Sequence, residues 1–169
     1  GGADLIPKSE QQISLISSAV AKIGGLYRGW AQANDAQYGV IQALYALYFQ
    51  SPVTQKQISE DCQMPKQTLN NVIRQLKSKG LIALRESAGD RRLREIVLTS
   101  AGEEYAQKTL EPFFTLNRKV LERLGDGFVD SLVRSLIAFT DAMEMEMELI
   151  NVASKWEGKL TEDGVTNEQ

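Results

Sequence analysis

The sequence contains no histidine and only one cysteine, Cys62. Without imidazole there can be no Ser-His-Asp or Cys-His nucleophile pair and no imidazole general base, and most zinc sites are lost with them. Carboxylate-only chemistry survives that filter, but no carboxylate motif stands out. An enzyme is therefore not expected, and neither a metal nor a cofactor is implied. The lone thiol excludes an internal disulfide and fits a reducing, cytoplasmic setting. No run of about 18 or more apolar residues occurs, so no membrane-spanning helix is expected. A basic stretch leading into an apolar core is also missing near Gly1, so no secretory signal is read there. Gly1-Gly2 reads as an expression scar and stays out of the fold reading.

The 169 residues, 43% hydrophobic and 24% charged, suffice for one compact domain or for a small domain with a helical extension. The net charge of −3 argues at first against a polyanionic partner. The average conceals a split, however. From Thr54 to Thr99 nine Lys/Arg face five Asp/Glu, a net +4, and the remainder carries ten basic against seventeen acidic residues, a net −7. A basic middle between acidic ends suggests a nucleic-acid module carried on something else.

Helical periodicity dominates the chain. Ile13, Ile16, Val20, Ile23, Tyr27 and Trp30 recur at steps of three and four, one face of a helix from about Glu10 to Trp30. Gly24-Gly25 marks a bend or a close helix crossing within it. Asn34 or Asp35 can cap a second helix running through Phe49, with Val40, Ile41, Leu44, Leu47 and Tyr48 inward, and Ser51-Pro52 ends it. Thr54 is the expected N-cap of a short third helix to about Cys62, with Ile58 inward. Pro65 suits the first turn of a fourth helix, whose inward stripe is Leu69, Val72, Ile73 and Leu76 and which ends at Gly80.

Two strands follow, "LIALRE" and "RLREIVLT", joined by the turn Ser87-Ala88-Gly89-Asp90. Ser100 and Glu103 offer a capping box for a fifth helix to about Leu124, with Thr99 the rival cap and Pro112 a kink. After Gly125-Asp126-Gly127 a sixth helix carries Leu132, Leu136, Phe139, Met143, Met147 and Ile150. The alternating "MEMEME" belongs to this helix and not to a strand. The residues beyond Trp156 read as a polar, frayed tail.

Two consecutive short helices followed by a charged hairpin make a winged helix-turn-helix, in which the second helix lies in the DNA major groove. Removing the inward stripe of that helix leaves Lys66, Gln67, Thr68, Asn70, Asn71, Arg74 and Lys77 outward. Asn and Gln amides suit adenine edges, and Arg suits guanine or phosphate. The hairpin holds Arg91, Arg92 and Arg94 beside its turn, where arginines can meet phosphates or a narrow minor groove. Asp90 is expected to orient a neighbouring arginine. The bland alternatives are a solvated helix face and a hairpin with internal salt bridges.

In this order the parts resemble the MarR family of winged-helix transcriptional regulators. The segments "QYGVIQAL", "TQKQISEDCQMPKQTLNNVIRQLKSKGLI" and "RESAGDRRLREIVLTSAG" look like that family's second helix, helix-turn-helix and wing. The resemblance covers about residues 35 to 103 by motif and the flanking helices by pattern. It implies a mainly α fold with a small β-hairpin wing: an N-terminal dimerisation helix (3–34), a winged helix-turn-helix DNA-binding lobe (35–100), C-terminal dimerisation helices (101–157) and a polar tail (158–169). It further implies a homodimer that sets two recognition helices on a pseudo-palindromic operator in double-stranded DNA. Repression would be relieved by a small aromatic or anionic effector bound between the dimer helices and the lobe. Carried over by position, Lys66, Gln67, Thr68, Asn70, Asn71 and Arg74 face DNA, with Arg91 and Arg92 at the wing tip. Asn70-Asn71 stands where many members have Thr-Arg, which leaves the operator sequence open.

The long apolar stripes of the terminal helices exceed what a small winged lobe covers alone, and this supports a dimer independently. Tyr27, Arg28, Trp30, Tyr38 and Tyr45 are the candidates for an effector pocket, with core packing as their alternative. Cys62 reads as a small buried hydrophobe, against the alternative of an oxidation sensor. Three other readings stay open: a winged helix that binds a protein partner and not DNA, an enzyme using carboxylates on a helical scaffold, and a DNA-binding activator or ligand-independent regulator.

Overall fold

The structure is a computed structural model that describes residues 6–164, with side chains described for 6–154. Gly1-Gly2, residues 3–5 of the expected N-terminal dimerisation helix and residues 165–169 of the expected tail lie outside the described residues. The elements run α1 (Lys8–Ala33), α2 (Tyr38–Gln50), β1 (Val53–Thr54), α3 (Gln55–Cys62), α4 (Lys66–Ser78), β2 (Ile82–Glu86), β3 (Arg94–Leu98), α5 (Ser100–Leu124) and α6 (Asp126–Gly164). A mainly helical chain with a small sheet was expected and is found. The chain divides into two compact units, one ending at Phe113 and the other beginning at Phe114.

In the first unit α2 is the centre. Val40, Ile41, Ala43, Leu44, Ala46 and Leu47 are all buried, so this helix is apolar around most of its circumference, as a helix enclosed by others must be. Around it the fully buried side chains Ile58 of α3, Leu69 and Leu76 of α4, Ile96 of β3 and Leu110 of α5 complete the core. Tyr48, expected inward, is instead exposed and meets Phe49 edge-on at 5.1 Å. Neither Asn34 nor Asp35 caps α2. Asn34 closes α1, its Nδ2 donating to the Trp30 carbonyl at 2.8 Å; Asp35 adopts a left-handed φ of 52°; and Gln37 takes the N-cap position.

The sheet is antiparallel in the order β1-β3-β2. The hairpin pairs Ile82 with Leu98 through to Glu86 with Arg94, and β1 adds Val53 opposite Ile96. The two-residue β1 was not anticipated from the sequence. Its Val53 is buried, which ties the start of α3 to the wing.

α1 runs unbroken across Gly24-Gly25. The bend or crossing expected there is replaced by the Arg28 side chain, whose Nη1 lies 3.3 Å from where a Cβ on Gly24 would be. Within α1 only Ala31 is buried. Ile13, Ile16, Val20 and Ile23, part of the expected apolar face, are exposed in the single chain. α5 begins after Thr99, not Ser100: the Thr99 hydroxyl accepts from the Gly102 amide at 3.0 Å and its carbonyl from the Glu103 amide at 2.8 Å. Pro112 sits inside α5 without interrupting it.

The second unit comprises the end of α5 and α6. Gly125, at φ +83°, allows the turn between them. α6 includes Met143 to Glu148 as helix and extends to Gly164, so the first part of the expected tail continues it. Leu132, Leu136, Met143, Met147 and Ile150 are exposed.

Candidate nucleic-acid interface

Local punctuation sets up the helix-turn-helix. Thr54 caps α3 through a complete capping box: its Oγ1 accepts from the Gln57 amide at 3.2 Å, and Gln57 Oε1 accepts from the Thr54 amide at 2.9 Å. α3 stops at Gln63, in the left-handed region at φ 49°. The Met64 amide donates to the Ser59 carbonyl at 3.1 Å, and the Ser59 hydroxyl donates to the Met64 carbonyl at 2.9 Å. Pro65, fixed near φ −56°, then starts α4 where its missing N–H is not needed. α4 ends at Lys79, and Gly80 follows at φ +69°.

With Leu69, Val72, Ile73 and Leu76 buried, the 100° per residue of a helix turns the intervening side chains outward. Lys66, Gln67, Thr68, Asn70, Asn71, Arg74 and Lys77 are all exposed. α4 contains no acidic residue, and its electropositive N-terminus adds to the field of its lysines and arginine. The structure thus brings the expected recognition-helix residues onto one face.

The hairpin separates its arginines into two kinds. In the stem, Arg94 on β3 pairs across the sheet with Glu86 at 3.5 Å, and Arg85 pairs with Glu95 at 3.3 Å. Arg94 is therefore a stem residue with a carboxylate partner and does not sit at the tip. The loop is longer than the expected four-residue turn and spans residues 87–93. The Ser87 amide donates to the Leu93 carbonyl at 3.1 Å, and the Leu93 amide to the Asp90 carbonyl at 3.0 Å. Asp90 orients backbone and not a guanidinium, its Oδ1 accepting from the Arg92 amide at 2.9 Å. Arg91 and Arg92 are exposed and make no ion pair among the described residues.

Four of the five acids between Thr54 and Thr99 are thus engaged nearby. Glu60 meets Lys56 at 3.8 Å, Glu86 and Glu95 meet the stem arginines, and Asp90 holds the loop. Among the described residues between Thr54 and Thr99, Lys66, Arg74, Lys77, Lys79, Arg91 and Arg92 have no carboxylate partner. Lys79, at the end of α4, lies over the Tyr105 ring at 5.9 Å; the other five lie on α4 or at the wing tip.

The effector candidates fall into two places. Tyr27, Trp30 and Tyr45 surround Phe113 of α5 at ring-centre distances of 5.3, 5.7 and 5.8 Å, and Tyr38 stacks on Tyr27 at 6.1 Å. Phe113 organises this cluster and was not singled out from the sequence, because only the tertiary fold brings α1, α2 and α5 together. Burial, with smaller contributions from neighbouring groups, raises the Tyr27 and Tyr38 phenols above their ordinary range. A separate cleft of about 550 Å³ is lined by Trp30, Asn34, Gln37, Gln75, Tyr105 and Lys108 among others. Trp30 alone of the candidates borders it. Arg28 lies near enough to Tyr38 to oppose that rise electrostatically. Cys62 is half-buried, its thiol directed at the Gln42 carbonyl at 3.8 Å. Burial first, and the Asp61 charge second, push this thiol up.

No helix among the described residues is long and apolar enough to cross a membrane, and these residues hold no group of three or more carboxylates or thiols placed for a metal.

Comparison with known proteins accords with this geometry. The sequence model of the MarR family matches residues 36–93. The solved structure of a MarR family regulator from Neisseria meningitidis is 31% identical, with a TM-score of 0.68 over 81% of this chain and 96% of that one. The transcriptional regulator BldR from Sulfolobus solfataricus shares the fold at 16% identity, TM-score 0.64, over 80% of this chain and 99% of its own. MepR of S. aureus in its complex with DNA does so at 20% identity, TM-score 0.55, over 81% and 98%. A search of curated proteins gives no match. The chain belongs to the MarR family of winged-helix transcriptional regulators.

Proposed function

We propose that this MarR family regulator binds double-stranded DNA sequence-specifically as a homodimer and acts as a ligand-responsive repressor in the cytoplasm. The observation that carries the reading is the allocation of charge within residues 54–99: of the six cations there without a carboxylate partner among the described residues, five lie on the outward face of α4 or at the wing tip and the sixth, Lys79 at the end of α4, sits over the Tyr105 ring, while the stem and α3 neutralise their own. Lys66, Gln67, Thr68, Asn70, Asn71 and Arg74 read the major groove from α4. Arg91 and Arg92 reach the flanking phosphates or minor groove, and Arg94 reinforces the wing from its stem. Phosphate contacts supply much of the affinity and base contacts the specificity. The DNA complex of MepR, a protein of the same fold, lends support.

The dimer rests on the apolar stripes of α1 and α6, where Ile13, Ile16, Val20 and Ile23, and Leu136, Met147 and Ile150, are exposed in a single chain. A closed two-fold pair covers such faces and matches a pseudo-palindromic operator. Residues 3–34 and 101–157 form this dimerisation region and 35–100 the DNA-binding lobe. A small aromatic or anionic effector is received by the aromatic side of α1 and α2, with Tyr27, Arg28, Trp30, Tyr38 and Tyr45 as its candidate contacts.

The test is a salt titration of duplex binding with Arg74→Ala and Arg91→Ala. Each variant should weaken binding, and a lost phosphate contact should lower the slope of log K against log salt by about one. Unchanged affinity and slope in both variants, with folding intact, would refute the assignment.

A further inference from the structure

The cleft of about 550 Å³ at the end of α1 shares only Trp30 with the aromatic cluster around Phe113. Among the described residues that line it, Asp35 is the one acid and Lys108 the one base. They stand on different walls, Asp35 in the turn after α1 and Lys108 on α5. Neither forms an ion pair among the described residues.

The Asp35 wall is negative by construction. The Ala36 amide donates to the Ala31 carbonyl at 2.9 Å and the Asp35 amide to the Gln32 carbonyl at 3.3 Å, the pair of bonds that closes a helix with a left-handed residue. Asp35 is that residue, at φ 52°, where glycine is the least strained occupant. Its carboxylate also adjoins the carboxyl end of α1, where the helix dipole is negative, and the last turn of α1 has no basic residue. The position therefore favours a cation beside it. The facing wall has the opposite sign: Lys108 lies on it, and Lys79 stands over the ring of Tyr105, another lining residue, at 5.9 Å. The half-buried Gln75 brings amide donors from α4. Trp30, Val40, Ile41 and Pro112 supply apolar surface.

We propose that this cleft binds a small zwitterion, an α-amino acid with an apolar or aromatic side chain. Its ammonium meets Asp35 and the end of α1, its carboxylate meets Lys108 and Gln75, and its side chain lies against Trp30. A monoanion gains Lys108 but faces Asp35 and the helix dipole; a monocation meets the reverse conflict. A zwitterion satisfies both walls, and a few polar groups around apolar surface, in a volume of this size, suit a small-molecule site.

The test titrates L-phenylalanine and L-leucine into the full chain. Nuclear magnetic resonance follows the Trp30 indole N–H, one of two such signals, assigned with Trp30→Phe. Both amino acids should shift that signal saturably at millimolar concentration. L-phenylalaninamide lacks the carboxylate and N-acetyl-L-phenylalanine the ammonium, and each should bind more weakly by about fivefold or more. Lys108→Gln should lose the same factor for L-phenylalanine but not for its amide. Asp35→Asn, which keeps a residue suited to the left-handed region, should lose it for L-phenylalanine but not for the N-acetyl form. No saturable shift with either amino acid would overturn the proposal. So would blocked forms that bind wild type as well as L-phenylalanine does, a measurement that needs no variant. Affinity within about twofold of wild type in either folded variant would overturn it too. Weakening by Arg28→Gln in place of Lys108→Gln would move the ligand to the aromatic side of α1 and α2, against the cleft. The proposal does not rest on the DNA-binding reading, and its failure leaves that reading to the duplex titration.

Discussion

Gly102 is the sharpest point of steric dependence in the first unit. A Cβ built on it lies 1.8 Å from the Leu81 carbonyl oxygen and 2.8 Å from its carbon. Both are backbone atoms, and no rotamer change relieves the overlap. Separating carbon and oxygen to about 3.3 Å requires the start of α5 and the entry to β2 to part by about 1.5 Å. The same junction is tied by the Thr99 amide donating to the Leu81 carbonyl at 3.0 Å and by the Thr99 hydroxyl donating to the Gly80 carbonyl at 2.7 Å. An opening of that size breaks both bonds, at about 1 kcal/mol net each. Forcing a methyl into the closed packing around Leu81 and Ala106 adds about 1–3 kcal/mol, and alanine's better helix propensity returns at most about 1 kcal/mol. Gly102→Ala should therefore destabilise the fold by about 2–4 kcal/mol. Gly29, inside α1 with no atom within 4 Å of a built Cβ, is the control, and its alanine variant should gain about 0.5–1 kcal/mol. Urea unfolding at one fixed protein concentration, which holds any dimer contribution constant, reads both. If Gly102→Ala falls within about 0.5 kcal/mol of wild type, the close approach is not what limits this junction.

Thr54→Ala removes one half of the α3 capping box and should cost about 1 kcal/mol, whereas Thr54→Ser should stay within a few tenths of wild type in the same titration. If α1 forms the dimer seam, Val20→Glu and Ile23→Glu should shift sedimentation-equilibrium mass toward the monomer at micromolar concentration; a full dimer mass for both would remove α1 from the interface. Because burial and the Asp61 charge raise the Cys62 thiol, its thiolate fraction near neutral pH is below that of a free cysteine. Iodoacetamide should consequently react slowly there, with its half-maximal rate at a pH above the ordinary thiol value; a midpoint at or below that value would favour oxidation sensing instead.

The fold was most legible where backbone chemistry is punctuated by single residues. Thr54, Pro65 and Gly80 each restrict the chain locally, and α3 and α4 begin and end where those residues demand. The stripe Leu69, Val72, Ile73 and Leu76 fixed which face of α4 turns inward, through helical periodicity alone. Legibility failed where two local solutions compete and tertiary contact chooses. Asn34 and Asp35 are both good caps, but Asn34 is already engaged in closing α1, leaving the start of α2 to Gln37. Thr99 displaced Ser100 as the cap of α5 because its hydroxyl also reaches the Gly80 carbonyl. β1 has no pattern of its own, since two residues paired to a distant strand carry no periodicity. The exposed stripe of α1 was read correctly as apolar, but periodicity cannot say whether its cover comes from the same chain or from another.

For the site, residue identity was legible and allocation was not. In sequence Arg91, Arg92 and Arg94 form one basic cluster; in the fold the register that places Arg94 opposite Glu86 commits one of them to the stem and leaves two at the tip. Asp90 looked like a partner for a guanidinium, yet the seven-residue loop needs its carboxylate to hold the Arg92 amide. Each case follows the same physical rule: a polar or charged side chain is available to a partner only after the fold's own backbone and cross-strand demands are met. An exposed cation already facing a carboxylate gives up that contact, worth about 0–1 kcal/mol, before it can meet a phosphate. A cation with no such neighbour starts without that handicap. The net charge of −3 is therefore a poor guide to what α4 presents. Screening limits each exposed charge to a range of about 8–10 Å, and over that range the surface is described by the partners each side chain has found.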